Sequence, residues 1–386
     1  MMAVSSHIPG RSLRCPEGYA AFLPDPLPPQ IAWTTELTRA LSDADRLVGQ
    51  LAGEGGRLPN PHLLIRPFVR REAVLSSRIE GTQATLGELL AAEAGAAVER
   101  SPDELREVAN YVVALEFGIK RLKTLPLSLR LVRELHERLM AGARGTHATP
   151  GQFRRSQNWI GAPGCTLANA SYVPPPPSAL MDCLGAWERF LHDRLLPPLA
   201  HAGLLHYQFE AIHPFIDGNG RVGRLLIILF LVERAILPAP LLYVSAFFEA
   251  TRRDYFERLR GVTTRGDWAA WLQYFLNGVA RQAEDALGRA ARINRHLTQW
   301  RTAVTGASSQ VPAQLVERLA ANPYLTVKQA AAQLGAAFTT VQRAVATLER
   351  HGIVQEISGA RRNRVYCAKR LLQILEEPAR LTPAAT

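Results

Sequence analysis

The chain has 386 residues, 47% hydrophobic and 20% charged, with a net charge of +11 and a sequence pI of about 9.9. This composition excludes disordered and fibrous classes and predicts two or three globular domains. The positive balance fits a polyanionic partner, such as nucleotide phosphates or nucleic acid, and equally an arginine-rich genome. The four cysteines, Cys15, Cys165, Cys183 and Cys367, are too few for a disulfide framework and lack metal-ligand spacing, so a reduced, cytoplasmic setting is expected. No signal peptide is expected, and no membrane span, because the longest apolar run, Leu225 to Val232, is far short of about 20 residues.

In chain order, the clustered Pro24, Pro26, Pro28 and Pro29 predict an extended leader, followed by a helix from Thr34 to Gly53. A second helix is predicted over Pro67 to Ile79, with Phe68, Leu75 and Ile79 on one face and Gly81 as its stop. Helices dominate from Pro102 to Gly142. Thr146 to Pro177 reads as non-helical, with β-prone pieces around Ala162-Pro163-Gly164-Cys165 that suggest a hairpin. Helices resume from Ser178 to about Gln299, with Arg289 to Gly306 as a linker helix. Beyond Ser309, Thr326 is a candidate cap for a helix over Val327 to Leu334, and Gly335 supplies a turn. Val341, Ala344, Val345 and Leu348 mark the buried face of the next helix, and short strands flank residues 359–364.

One loop concentrates the chemistry: His213-Pro-Phe-Ile-Asp-Gly-Asn-Gly-Arg-Val-Gly-Arg224. Asp217-Gly218-Asn219-Gly220 reads as a tight turn placed before an apolar helix that starts at Arg221. A helix N-terminus presents unpaired N–H groups and a positive dipole end, so it binds anions. Gly218 and Gly220 let further amides approach a phosphate, and Arg221 and Arg224 add bidentate positive charge. Asp217 would repel bound phosphates unless a cation lay between, which points to Mg²⁺. His213 is placed to take a proton from an incoming nucleophile.

This string resembles the Fic family motif HxFx(D/E)GNGRxxR, with His213, Phe215, Asp217, Gly218, Asn219, Gly220, Arg221 and Arg224 at its fixed positions. The resemblance implies a mainly α fold: a Fic-type helical core with a β-hairpin flap. It implies transfer of AMP from ATP to Ser, Thr or Tyr hydroxyls of proteins. In that reading His213 is the general base, Asp217 holds Mg²⁺, and Asn219 with the Gly218–Gly220 amides holds the α-phosphate. Arg221 and Arg224 take the β- and γ-phosphates, so the whole run Gly218, Asn219, Gly220, Arg221, Val222, Gly223 and Arg224 is assigned to ATP. Upstream, Ser76, Glu80 and Gly81 fit the family's inhibitory motif (S/T)xxxE(G/N), which implies that Glu80 pairs with Arg224 and excludes the γ-phosphate. Residues 152–177 resemble the flap, where a target protein of unknown identity would dock by strand addition. Self-modification and a homodimer are further expectations. Tyr255 is a candidate for the adenine pocket.

Residues 309–377 resemble a winged helix of α+β type, with Thr339, Gln342 and Arg343 on its recognition helix and Arg361, Arg362 and Arg364 in its wing as candidate DNA contacts. The expected organisation is an N-terminal helical region over 1–100 with the inhibitory helix, a Fic core over 101–300 and the winged helix over 301–386. Three other readings stay open: a DNA-binding regulator that senses nucleotide, AMP removal, and transfer of another phosphate-linked group. The intact His213 argues against a pure sensor, which has no use for a base beside an α-phosphate.

Overall fold

The apolar stretch that follows Arg224 folds as a helix buried on every side, and the rest of the core is arranged around it. The structure, a computed structural model, describes residues 9–57, 61–142, 149–162, 164–306 and 309–382. A hairpin of β1 (Gly10–Arg14) and β2 (Ala20–Pro24) precedes α1 (Thr35–Arg57), α2 (Pro61–Ile79), α3 (Leu86–Glu93), α4 (Pro102–Arg121) and α5 (Leu129–Leu139). After the flap segment come α6 (Pro177–Leu191), α7 (Pro198–Ile212), α8 (Asn219–Glu233), α9 (Ser245–Ala250), α10 (Arg252–Arg265) and α11 (Trp268–Ala303). The C-terminal module comprises α12 (Val311–Ala321), β3 (Tyr324–Thr326), α13 (Val327–Leu334), α14 (Phe338–Arg350), β4 (Gln355–Glu356), β5 (Val365–Cys367) and α15 (Lys369–Glu376).

A helix that is apolar all round is stable only in an interior. α8 accordingly packs against α7, α4, α5 and α2, with Leu225 and Leu229 fully buried. Each such side chain contributes about 1.5–3 kcal/mol of burial. α11 is one continuous helix of 36 residues lying along α1, so the expected linker from Arg289 is its C-terminal half. Its buried stripe includes Trp271, Phe275 and Val279.

Local capping explains several boundaries. The Thr85 Oγ1 accepts from Glu88 N at 3.2 Å while Glu88 Oε2 accepts from Thr85 N at 2.7 Å, a reciprocal cap that starts α3. Thr326 caps α13 as expected, accepting from Gln329 N at 3.3 Å. Gly81 has φ +106°, a conformation that ends α2 and suits glycine. In the module, β5 lies between β3 and β4, all antiparallel, with Cys367 opposite Tyr324 and Gln355. The module runs helix–strand–helix–helix–hairpin, with Val341, Ala344, Val345 and Leu348 buried.

Several expectations change. The leader is a hairpin, because residues 10–14 pair with 20–24. α2 begins at Pro61, so Pro67 lies inside it; proline there forfeits one backbone donor without ending the helix. α3, α12 and α15 have no counterpart among the expected elements. Thr146 to Ala148 and Pro163 of the expected hairpin lie outside the described residues. Between them and Pro177, the hairpin is reduced to one bridge, Ile160 with Tyr172, and a short 3-10 turn. Among the described residues no helix is long and apolar enough to cross a membrane, and all four cysteines are free.

Candidate active site

The loop between α7 and α8 is held in a strained shape by polar contacts. His213 has φ 49° and ψ 62°, a left-handed conformation that a residue with a β-carbon adopts at a cost. Its carbonyl accepts from Arg154 Nε at 2.9 Å and from Asn158 Nδ2 at 3.3 Å, and Asn158 Nδ2 also reaches Phe215 O at 2.7 Å. Arg154 is 3% exposed and donates further to Pro175 O at 2.5 Å. The flap therefore clamps the loop from one side.

Asn219 clamps it from within. Its Oδ1 accepts from Phe215 N at 2.8 Å and its Nδ2 donates to Phe215 O at 2.9 Å. The side chain expected to hold a phosphate is thus committed to the turn, which leaves its amide for the anion. α8 starts at Asn219, so Gly220 is inside the helix rather than in the turn. The amides of Asn219, Gly220 and Arg221 occupy the first turn, which has no preceding carbonyls to bond. Val222 N already donates to Gly218 O at 3.0 Å and its side chain is fully buried. Gly223 faces inward, where an added Cβ would lie 2.6 Å from Glu210 Oε1. Val222 and Gly223 are therefore packing positions, and the expectation that they bind phosphate is corrected.

A carboxylate occupies the mouth of this nest. Arg224, 1% exposed, donates from Nε to Ser76 Oγ, from Nη2 to Ser76 O and from Nη2 to Glu80 Oε1, each at 2.8 Å. A Cβ placed on Gly220 would collide with Glu80 Oε1, so the carboxylate rests against the first turn of α8. Burial alone would raise the Glu80 carboxyl, but the Arg224 guanidinium, with Arg221 behind it, holds it below the ordinary 4.5. The contact thus stabilises the fold at neutral pH and is lost as the pH falls below that value. The Glu80 side chain keeps 40% of its surface exposed, so it sits at a rim from which it can leave.

His213 is neutral in this setting: burial pulls its pKa to about 4, against the opposing pull of Glu80. Its Nδ1 is buried and makes no hydrogen bond among the described residues. Burial also lowers His136 to about 4, His201 to about 4 and His206 to about 3, while burial raises Glu210 to about 7. Between pH 6.5 and about 4 the unfolded chain takes up protons that these four histidines refuse, so stability falls on acidification. Glu210 acts in the opposite sense over part of that range. The thermal midpoint is expected to drop by several degrees between about pH 7.5 and about pH 5. A midpoint that rises on acidification would show that the histidines are not buried neutral.

Asp217 projects outward, 59% exposed, with Oδ1 accepting from Gly218 N at 2.6 Å and lying 3.6 Å from Arg221 Nη2. Among the described residues no cluster of three or more metal-ligating side chains occurs. A lone exposed carboxylate beside the first turn of α8 still fits Mg²⁺, which takes one or two carboxylates and completes its shell with water and substrate oxygens.

His136 is a site residue without a sequence signal. Gly151 N donates to its Nδ1 at 2.9 Å, which makes Nε2 the protonated nitrogen that donates to Asp217 O at 3.0 Å. Its ring stacks on Phe215, centroids 3.7 Å apart. Arg154 and Asn158 were equally invisible, because their partners are backbone carbonyls distant in sequence. Tyr255 is corrected: it is 1% exposed, stacks on Phe248 and bonds His206 Nε2 at 2.8 Å, so it offers no open face to adenine. Gln342, Arg343, Arg361, Arg362 and Arg364 are exposed on the C-terminal module, on elements separate from this loop.

A helix–loop–helix of this form, with an amide nest, a neutral histidine before it and a facing glutamate, defines a Fic-type fold. Residues 38–120 match the Fic/DOC family N-terminal region and residues 126–231 the Fic/DOC family itself. The chain thus carries a stretch similar to the Fic/DOC N-terminal region followed by a Fic/DOC domain. Protein adenylyltransferase Fic from Drosophila yakuba is 32% identical over 169 residues, covering 42% of this chain and 31% of that protein. The Drosophila melanogaster protein of the same name is 31% identical over 169 residues, covering 42% and 32%. The matched part is thus about a third of these relatives' length. A Fic family protein from Desulfovibrio desulfuricans G20 has a similar fold, with TM-score 0.59, 20% identity and coverage of 89% of this chain and 98% of that one. Fic-1 from C. elegans gives TM-score 0.52 and 23% identity over 67% and 75%.

Proposed function

We propose that this protein transfers AMP from ATP to hydroxyl side chains of proteins and that Glu80 restrains the transfer. The observation that carries the reading is the position of the Glu80 carboxylate, against the first turn of α8 and on Arg224, where a phosphate would otherwise be bound. The name of the Drosophila relatives supports ATP as the substrate and AMP as the transferred group.

In the reaction, the target oxygen forms a bond to the α-phosphorus while the bond from that phosphorus to the bridging oxygen breaks, and pyrophosphate leaves. Such a step needs alignment and charge neutralisation more than covalent help. The Asn219–Arg221 amides orient the α-phosphate, Arg221 and Arg224 take the departing phosphates, and neutral His213 accepts the hydroxyl proton. Asp217 would hold Mg²⁺, which would supply charge neutralisation for the phosphates. The flap presents Trp159, 41% exposed, and Ile160, 38% exposed, as apolar anchors for a target segment beside the loop.

Mass spectrometry of Glu80→Gly protein incubated with ATP and Mg²⁺ tests the assignment. Self-modification by the mass of AMP is expected. A phosphate-sized addition, or none with any nucleotide, would overturn it.

A further inference from the structure

Ser76 lies near the end of α2 and Glu80 just beyond it, so whatever holds α2 and α3 sets how firmly Glu80 sits on Arg224. Much of that hold comes from the C-terminal module. α12 packs along α2, and α15 touches α2, α3 and α11. Arg71 of α2, 7% exposed, donates to Glu377 O at 3.3 Å and lies 3.8 Å from Asp285. Asp285 pairs at 2.7 Å with Arg289, which donates to Glu377 O at 2.9 Å and Pro378 O at 3.0 Å.

α3, the first element after Glu80, is tied to the module along its length. Gly87 N donates to Glu376 Oε1 at 3.0 Å. Asn322 Nδ2 donates to Leu90 O at 2.9 Å and Gln329 Nε2 to Glu93 O at 2.8 Å. Thr326 Oγ1 donates to Ala94 O at 3.3 Å. Glu93 pairs in turn with Arg70 of α2 at 3.0 Å. The joint is not packed solid: a cavity of ≈ 600 Å³ opens between α2 and the module, lined by Arg66, Arg70, Arg318 and Gln333 among others. Most of these ties are hydrogen bonds to backbone carbonyls, and those from Asn322 and Gln329 start from residues that line the cavity, where a small displacement can exchange them for water.

The other side of the module faces outward. α14 buries its apolar stripe on α12 and α13 and leaves Phe338, 53% exposed, with Thr339, Gln342 and Arg343 projecting from its N-terminal half. Arg361, Arg362 and Arg364, between β4 and β5, are exposed as well. Residues 338–364 contain five arginines against two glutamates, and Glu356 is occupied with Ser358 N at 2.7 Å and Gly359 N at 3.1 Å. A helix that offers Gln and Arg at its N-terminal end reads base edges in a major groove, and flanking arginines take phosphates.

We propose that duplex DNA seats on α14 and the wing, and that the module passes this occupancy through α2 and α3 to the contact between Glu80 and Arg224. The inference rests on the transfer reading above. The ligand shifts the restraint only by binding its two states unequally, and a coupling of this kind corresponds to about a fivefold or larger change in rate.

The full-length protein tests it. Asn322→Ala/Gln329→Ala removes two ties to α3 and should raise the rate of label transfer from α-labelled ATP severalfold, with no further rise in a Glu80→Gly background. A fluorescent random-sequence duplex should bind at low salt, weaken linearly on a log–log salt plot, and lose about one unit of slope for each of Arg361, Arg362 and Arg364 changed to alanine. Saturating duplex should change the transfer rate of the Glu80 protein by about fivefold or more and leave the Glu80→Gly protein unchanged. Absence of binding at low salt, binding indifferent to the three arginines, or binding without a change in rate would each overturn the proposal. In those cases an active Glu80→Gly enzyme shows that the transfer reading stands, whereas an inactive one defeats that reading itself.

Discussion

Glu80→Gly is expected to raise AMP transfer by at least about tenfold. A hydrogen bond between charged groups contributes roughly 1.5–3 kcal/mol, and about 1.4 kcal/mol corresponds to a factor of ten. The lower part of that range applies, because the Glu80 side chain is 40% exposed and solvent screens it. Removing the carboxylate also removes its direct repulsion of a γ-phosphate at Arg224. The guanidinium it leaves behind is 1% exposed, so the substitution strands a buried cation and should lower the thermal midpoint of the unliganded protein. ATP supplies the missing anion and should raise the midpoint of the variant more than that of the parent protein. A variant with unchanged transfer and an unchanged response to ATP would mean that Glu80 restrains nothing.

The second large effect concerns His213. In the Glu80→Gly background, where turnover is high enough to follow, His213→Ala should cost about 10²–10⁴ in rate, the usual contribution of a positioned base. His213 occupies the left-handed region, where alanine is strained, so His213→Asn is the companion variant: asparagine tolerates that conformation and is a far weaker base. Both should keep ATP binding, because the amides of the α8 first turn and Arg224 remain. With the histidine pKa pulled to about 4, the base form persists through mildly acidic pH, and the rate should not show the ordinary histidine inflection at 6.5. Retention of near-parental rates by both variants would remove His213 from the proton transfer.

The sequence by itself determined the elements whose signals are local. The Thr326 cap, the buried stripe of α14, the Gly81 stop and the apolar α8 follow from caps, turns and periodicity within a few residues. The twelve-residue loop was legible for the same reason, since nest, histidine and arginines share one short stretch of chain. Only the tertiary structure decided which side of α8 each residue faces. Val222 and Gly223 fall inside the assigned run yet point into the core, and the Asn219 side chain closes the turn instead of meeting a ligand. Tyr255 is core because Phe248 and His206 cover it. The Glu80–Arg224 contact joins residues 144 apart in sequence, and Asn158 and His136 reach backbone carbonyls 57 and 81 residues away. Backbone carbonyls are alike in every residue, so the partners of such side chains leave no mark in the sequence and are set by packing alone.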